Sequence, residues 1–169
     1  MQPTVYWVRD LARGRLAVVT RPDPAYGLPQ QMKSLRDDGL DVLVSMLQSD
    51  EAIRLGLAWE ANVAADAGLV FHNLPTGDFG VPSSFESAGT LVAAVAAEIA
   101  GGRAVGVHCF AGRGRSPLFA ACVLVHLGAQ PDAAIEAVAQ ARGRRVPETD
   151  AQRQWIFDFA AWRRDAAPG

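Results

Sequence analysis

The sequence predicts an α/β fold: one domain over residues 1–169, a mostly parallel central sheet flanked by helices. Three observations carry this. Short apolar runs alternate with longer segments of helical spacing, as in successive βαβ units. Two of the runs, Asp41 to Leu47 (DVLVSML) and Ala104 to His108 (AVGVH), are apolar almost throughout, as strands are when both faces of a parallel sheet are covered. No internal repeat or low-complexity linker divides the chain.

Taken in order, Thr4 to Arg9 and Leu16 to Thr20 read as two short strands, a hairpin turning near Arg13-Gly14, and Arg21-Pro22-Asp23-Pro24 breaks the chain. Leu28 to Asp38 is helical, with Gly39 as its C-cap. After the strand Asp41 to Leu47, Ser49 and Asp50 can cap a helix through Leu57, and helix continues to Ala67 before Gly68. Leu69 to Leu74 is the next strand, and Pro75 to Pro82 is a loop dense in turn residues. Ser83 with Glu86 reads as the capping box of a long helix whose apolar face includes Phe85, Leu91, Val92, Val95 and Ile99, ended by Gly101-Gly102. The strand Ala104 to His108 leads through a glycine-rich turn into an apolar helix from Ser116 to Leu127. Helices Pro131 to Arg142 and Glu148 to Arg164 close the domain.

Length and charge narrow the function classes. A chain of 169 residues can bury about 70% of its unfolded surface, enough for a core without staples. Its formal net charge of −2 argues against a general nucleic-acid binder, although the basic residues are fifteen Arg to the single Lys33. No apolar stretch reaches the roughly 18–20 residues of a membrane span, no signal peptide is apparent, and cytoplasmic residence is the default. Two cysteines, Cys109 and Cys122, are expected to be unpaired thiols.

Ligands of open α/β sheets bind beyond the carboxyl ends of the strands, which singles out the loop after His108. His108-Cys109-Phe110-Ala111-Gly112-Arg113-Gly114-Arg115-Ser116 leaves a strand and enters a helix. Backbone N–H groups there aim at one point, the helix dipole adds positive charge, and Gly112 and Gly114 let the amides curl into an anion nest. Arg115 is placed to grip two oxyanion oxygens with its planar fork. In such a cradle the Cys109 thiol ionises readily, and Ser116 can donate its hydroxyl to the thiolate. A plain structural cysteine would explain neither the glycines nor Arg115.

His108-Cys109, five residues, then Arg115-Ser116 resembles the H-C-x5-R-S/T signature of the cysteine-dependent protein tyrosine phosphatase superfamily, in its compact dual-specificity type. The loop is similar to that of the kinase-associated phosphatase group, and the resemblance extends from Leu28 to Trp162. It implies a phosphate-binding loop of Phe110, Ala111, Gly112, Arg113, Gly114 and Arg115, with Cys109 as nucleophile and no metal or other cofactor. It implies a general acid about thirty residues upstream, and Asp78, 31 positions before Cys109 in a loop at the same sheet edge, fits; a turn aspartate is the competing reading. His108 resembles the histidine that orients the cysteine. Gln152, in Thr149-Asp150-Ala151-Gln152, resembles the glutamine that positions the hydrolytic water, although polar residues at a helix start are commonplace.

The implied reaction is two-step hydrolysis of phosphotyrosine, and of phosphoserine or phosphothreonine if the pocket is shallow, with a phosphorylated protein as substrate and the enzyme a monomer. Hydrolysis of a phosphoinositide or other polyphosphate is the alternative, since Arg113 adds charge to the loop. A non-catalytic phosphate-binding module is a third reading, disfavoured by an intact nucleophile and arginine. Arg142, Arg144 and Arg145 either recruit an acidic partner or offset a helix dipole. Cys122 reads as a core thiol rather than a redox partner, His72 and His126 as structural, and Trp155, Phe159 and Trp162 as core.

Overall fold

The computed structural model describes residues 1–166. Strands β1 (Val5–Trp7) and β2 (Arg15–Val19) come first, then helix α1 (Leu28–Asp37), strand β3 (Val42–Ser45) and helices α2 (Ser49–Arg54) and α3 (Glu60–Asp66). Strand β4 (Val70–Asn73), helix α4 (Phe85–Ala100), strand β5 (Ala104–His108) and helices α5 (Arg115–His126), α6 (Pro131–Arg142) and α7 (Asp150–Ala166) complete the chain. The strands form one sheet in the order β1-β2-β5-β3-β4. Only β1 is antiparallel to its neighbour, so the α/β, mostly parallel reading holds.

Period-two alternation sorts the strand side chains onto two faces. Leu16 and Val18, Val42 and Val44, and Val105 and Val107 join the core under α4, α5, α6 and α7. Ala17, Val19 and Leu43 join the smaller core with Met32 and Leu35 of α1 and Ala64 of α3. With both faces covered, β2, β3 and β5 carry no polar face, which is why their sequences read as continuous apolar runs. Central strand β5 takes Gly106 because a Cβ there would stand 2.4 Å from Leu40 Cδ2 and 2.6 Å from Val19 Cγ2. Three aromatic residues of α7 pack inward as expected, Trp155, Phe159 and Trp162 forming one cluster with Phe85 of α4, while Phe157 is exposed.

Local boundaries differ from the sequence expectation in three places. The residue capping α4 is Ser84, not Ser83: it is extended and its Oγ accepts the Ser87 N–H at 3.1 Å. That register sends Phe85 into the aromatic cluster and leaves Glu86 as a first-turn acid. The segment from Ser49 to Ala67 is two helices, because Gly56 takes a left-handed φ of +72° between them. Gln48 caps α2, in place of Ser49 or Asp50, with a reciprocal bond from its N–H to Glu51.

Candidate active site

Three parallel strands end side by side at one sheet edge, and each delivers a loop there. β5 leads to Cys109, β3 to Glu51 at the start of α2, and β4 to the loop holding Asp78. Beyond the strands the bases of these loops stay stitched: Met46 N–H donates to His108 O at 2.9 Å, Leu74 N–H to Ser45 O at 2.9 Å and Thr76 N–H to Met46 O at 3.1 Å. Asn73 ties the same corner, its Nδ2 donating to Ser45 O and Leu47 O. The acid loop therefore springs from a rigid base.

Cys109 is buried, with Sγ 3.2 Å from Ser116 Oγ. Burial pushes its thiol up, but the Ser116 hydroxyl and N–H, the Arg115 charge and the Gly112 N–H together outweigh it, and the thiol sits below its ordinary pKa. Gly112 adopts φ +67°, the left-handed turn that curls the loop, and Gly114 lies so close to the Gln152 amide that a Cβ would stand 2.7 Å from it. Phe110 and Ala111 are exposed on the outer loop, with the Arg21 guanidinium 4.7 Å above the Phe110 ring, and Arg113 is exposed at the rim.

Arg115 is buried at 1% exposure, yet its charge is met by two acids. Glu51 accepts end-on, Oε2 from Nη1 at 2.8 Å and Oε1 from Nη2 at 2.9 Å. Thr76 O takes the other Nη1 hydrogen at 2.9 Å, and Asp78 Oδ1 the other Nη2 hydrogen at 3.2 Å. The guanidinium holds Glu51 below the usual carboxylate range, against the opposing effect of burial. The side edge of the fork, Nε–H with the hydrogen now on Asp78, faces no other protein acceptor among the described residues. Two parallel donors at that edge match two oxygens of a tetrahedral oxyanion.

Asp78 is half-exposed in a tight turn closed by Gly80 N–H to Gly77 O at 2.8 Å. Gln152, fully buried, donates from Nε2 to Gly80 O at 3.1 Å and accepts the Thr149 N–H on Oε1 at 3.1 Å. It bridges the start of α7 to the Asp78 loop while lying on Gly114. Behind the cysteine, His108 donates from Nδ1 to Cys109 O at 3.2 Å, and its Nε2 meets Glu60 Oε1 of α3 at 2.6 Å, both side chains buried. Burial works against a charged imidazole there, but the Glu60 carboxylate and the Cys109 carbonyl prevail and His108 titrates above its ordinary value.

All the candidate residues thus converge on one edge. Sequence reasoning passed over Glu51, Glu60 and Thr76, and of its two readings of Arg142 the helix-end one fits, since the residue stands in the last turn of α6. That side chain is not free to recruit a partner: its Nε–H donates to Gly112 O at 2.8 Å while the guanidinium lies 4.3 Å over the Tyr6 ring. It ties down the Gly112 and Ala111 carbonyls, while the Gly112 and Ser116 N–H groups face the Cys109 thiol. Cys122 is buried in α5, its thiol pushed well up by burial alone. Among the described residues no group of acids, histidines and cysteines is arranged to hold a metal ion, and no helix is long and apolar enough to cross a membrane.

The chain is similar to cyclin-dependent kinase inhibitor 3 of Rattus norvegicus, 32% identical over 94 residues that cover 54% of this chain and 44% of that protein. The protein of that name from Homo sapiens is 30% identical over the same shares. The match therefore spans less than half the length of these curated relatives. Among solved structures, kinase associated phosphatase with its catalytic cysteine changed to serine superposes with a TM-score of 0.87 over 99% of both chains, at 19% identity, a likeness of fold. PTPMT1 in complex with PI(5)P superposes at 0.70 and 25% identity, over 89% of this chain and 94% of its own. The family model described as "Polymorphic toxin system, DSP-PTPase phosphatase" matches residues 19–129, and the chain belongs to this DSP-PTPase phosphatase family.

Proposed function

We propose that this chain hydrolyses phosphate monoesters of phosphoproteins, phosphotyrosine foremost and phosphoserine or phosphothreonine where the side chain reaches, through a cysteinyl-phosphate. One observation carries the reading. A thiol of lowered pKa stands at a helix N-terminus beside a buried arginine whose outer Nη2 hydrogen is accepted by Asp78.

The substrate's equatorial oxygens bind the loop amides from Phe110 to Arg115 and the side edge of Arg115, taking over the hydrogen that Asp78 now accepts. Displaced from the guanidinium, Asp78 faces the leaving oxygen. Cys109 Sγ attacks phosphorus in line as the P–O bond breaks, and Asp78 gives its proton to the departing oxygen. Water then attacks phosphorus, Asp78 takes its proton, and Sγ leaves as a thiolate stabilised by the Ser116 hydroxyl 3.2 Å away. Loop amides and Arg115 stabilise the charge on the equatorial oxygens in both steps. Glu51 fixes the guanidinium, and His108 fixes the cysteine backbone. Gln152 holds the Asp78 loop through one Nε2 hydrogen on Gly80 O, which leaves its second Nε2 hydrogen for the hydrolytic water. The residues act as one catalytic unit, a monomer, in a reducing compartment such as the cytoplasm, where the thiol persists.

Phosphoinositide hydrolysis is the second reading, favoured by the likeness to PTPMT1, a protein solved with PI(5)P bound. Hydrolysis of p-nitrophenyl phosphate across pH, with chelator, tests the reaction. Activity that resists chelator, disappears in Cys109→Ser and loses its alkaline limb in Asp78→Asn supports it; activity that survives Cys109→Ser overturns it. Parallel assays on phosphotyrosyl peptide and short-chain phosphoinositide separate the two substrate readings.

A further inference from the structure

We propose a ligand site behind the catalytic cysteine, a half-polar hollow that takes a primary alkylammonium ion and acts on Cys109 through the Glu60–His108 pair. The hollow, about 280 Å³, lies between α2, α3 and the ends of β3 and β4. None of its lining residues belongs to the catalytic loop or to the Asp78 loop. One wall residue nevertheless joins it to the catalytic site. Glu60 is 3% exposed, its Oε1 stands 2.6 Å from His108 Nε2, and His108 donates from Nδ1 to Cys109 O. Glu60 Oε2 has no protein partner among the described residues. It is not sealed off either, because the only fully enclosed side-chain polar atom without a partner among those residues is Arg21 Nε. Oε2 therefore opens to the hollow that Glu60 lines. A carboxylate oxygen at that depth gains most from a charged donor.

The rest of the wall selects the cation. Asn73 spends both Nδ2 hydrogens on Ser45 O and Leu47 O, which leaves its Oδ1 to accept. Ser45 and Ser49 add hydroxyl oxygens. Acceptors thus dominate the polar side, and a primary ammonium brings three donors and no acceptor. A guanidinium suits the site less, since its fork wants both oxygens of one carboxylate and Oε1 is held by His108. A bare metal ion suits it less again: Glu60 is the only acid, histidine or cysteine on the wall, and hard cations gather many oxygens. The other side of the hollow is apolar. Leu47, Leu57 and Phe71 line it, and Ile53, 64% exposed, continues it to the surface, so the ammonium carries a short alkyl chain.

Occupancy reaches the nucleophile through charge. A proton on His108 and an ammonium at Oε2 draw on the same carboxylate and repel each other. Each therefore weakens the other's binding by the same factor. Cys109, at the end of β5, is the other titratable group facing His108, and α2, β3 and β4 bring none to the hollow. When the ammonium displaces the proton, positive charge moves from His108 to the far side of Glu60, and the Cys109 thiolate loses support.

The test titrates wild type with n-butylammonium chloride while NMR follows the three imidazoles, His72, His108 and His126; His72→Gln and His126→Gln assign the signals. The His108 pKa should fall by about one unit at saturation, and the amine should bind about tenfold tighter above that pKa than below it. Iodoacetamide alkylation of Cys109 at pH 7 should slow about threefold, the effect of half a unit in the thiol pKa. Ala58→Phe, at an exposed wall position outside the catalytic groups, should block the hollow, abolish all three effects and leave p-nitrophenyl phosphate turnover without amine unchanged. A His108 pKa that does not move, a shift reproduced by potassium chloride or tetramethylammonium chloride at the same concentration, or binding that survives Ala58→Phe overturns the site. Alkylation at an unaltered rate in the saturated protein overturns its link to the cysteine. NMR and alkylation need no turnover, so this inference and the reaction proposed above stand or fall separately.

Discussion

Replacing Glu51 by glutamine keeps the shape of the side chain and removes its charge from Arg115. The pair is bidentate, with Arg115 1% and Glu51 11% exposed. Breaking a buried pair from one side costs about 3–5 kcal/mol. The low end applies, because Arg115 keeps Thr76 O and Asp78 as acceptors. For a domain of this size each kcal/mol corresponds to about 2–4 °C, so Glu51→Gln should melt about 6–12 °C below wild type at neutral pH. The pH dependence follows from Glu51 being held below its ordinary value, chiefly by its bond to Arg115. Its contribution is present in full above the unfolded value of about 4.3 and is lost as pH falls through the lower folded value. The two melting curves should therefore converge in acid. Circular dichroism melts between about pH 3 and 7 measure both effects. A variant within about 2 °C of wild type at pH 7, or a deficit that persists unchanged to about pH 3, would refute the reasoning.

Glu60→Gln should lower the His108 pKa and take a positive charge from behind Cys109; the pH at which iodoacetamide alkylates Cys109 half-maximally should rise by about one unit, and no shift would remove Glu60 from that role. Because the folded His108 pKa is raised, its stabilising contribution is complete below about 6.5 and is lost as pH climbs through the folded value, so stability by urea titration should decline there in wild type and not in Glu60→Gln. Arg142→Ala should reduce kcat about tenfold with a change in folding free energy under about 1.5 kcal/mol, since it frees the Gly112 carbonyl on a half-exposed loop; an unaltered kcat would mean the loop holds its own shape. Gly106→Ala should cost about 1–3 kcal/mol in urea titration through overlap with Leu40 and Val19, and a neutral result would show that the two cores give way easily.

The centre of the sheet was legible because β2, β3 and β5 are short, apolar on both faces and separated by punctuated helices, and the catalytic loop because Cys109, Gly112, Gly114, Arg115 and Ser116 fall within one eight-residue stretch. Asp78 could be placed because β4 ends at the same edge as β5. The residues that were missed act across the topology. Glu60 reaches His108 from 48 positions away and Glu51 reaches Arg115 from 64, distances over which sequence spacing carries no signal until the order β5-β3-β4 is known. Glu51 had a further disguise. A glutamate in the first turn of a helix is already explained by the helix: its Oε2 accepts the Gln48 N–H at 3.4 Å and its charge suits the dipole end. That local explanation is true and incomplete, since the same oxygen also accepts from Arg115 at 2.8 Å. Of the two bonds the shorter, charge-assisted one is the stronger, so the acid that looks like a cap serves chiefly to fix the arginine of the catalytic loop.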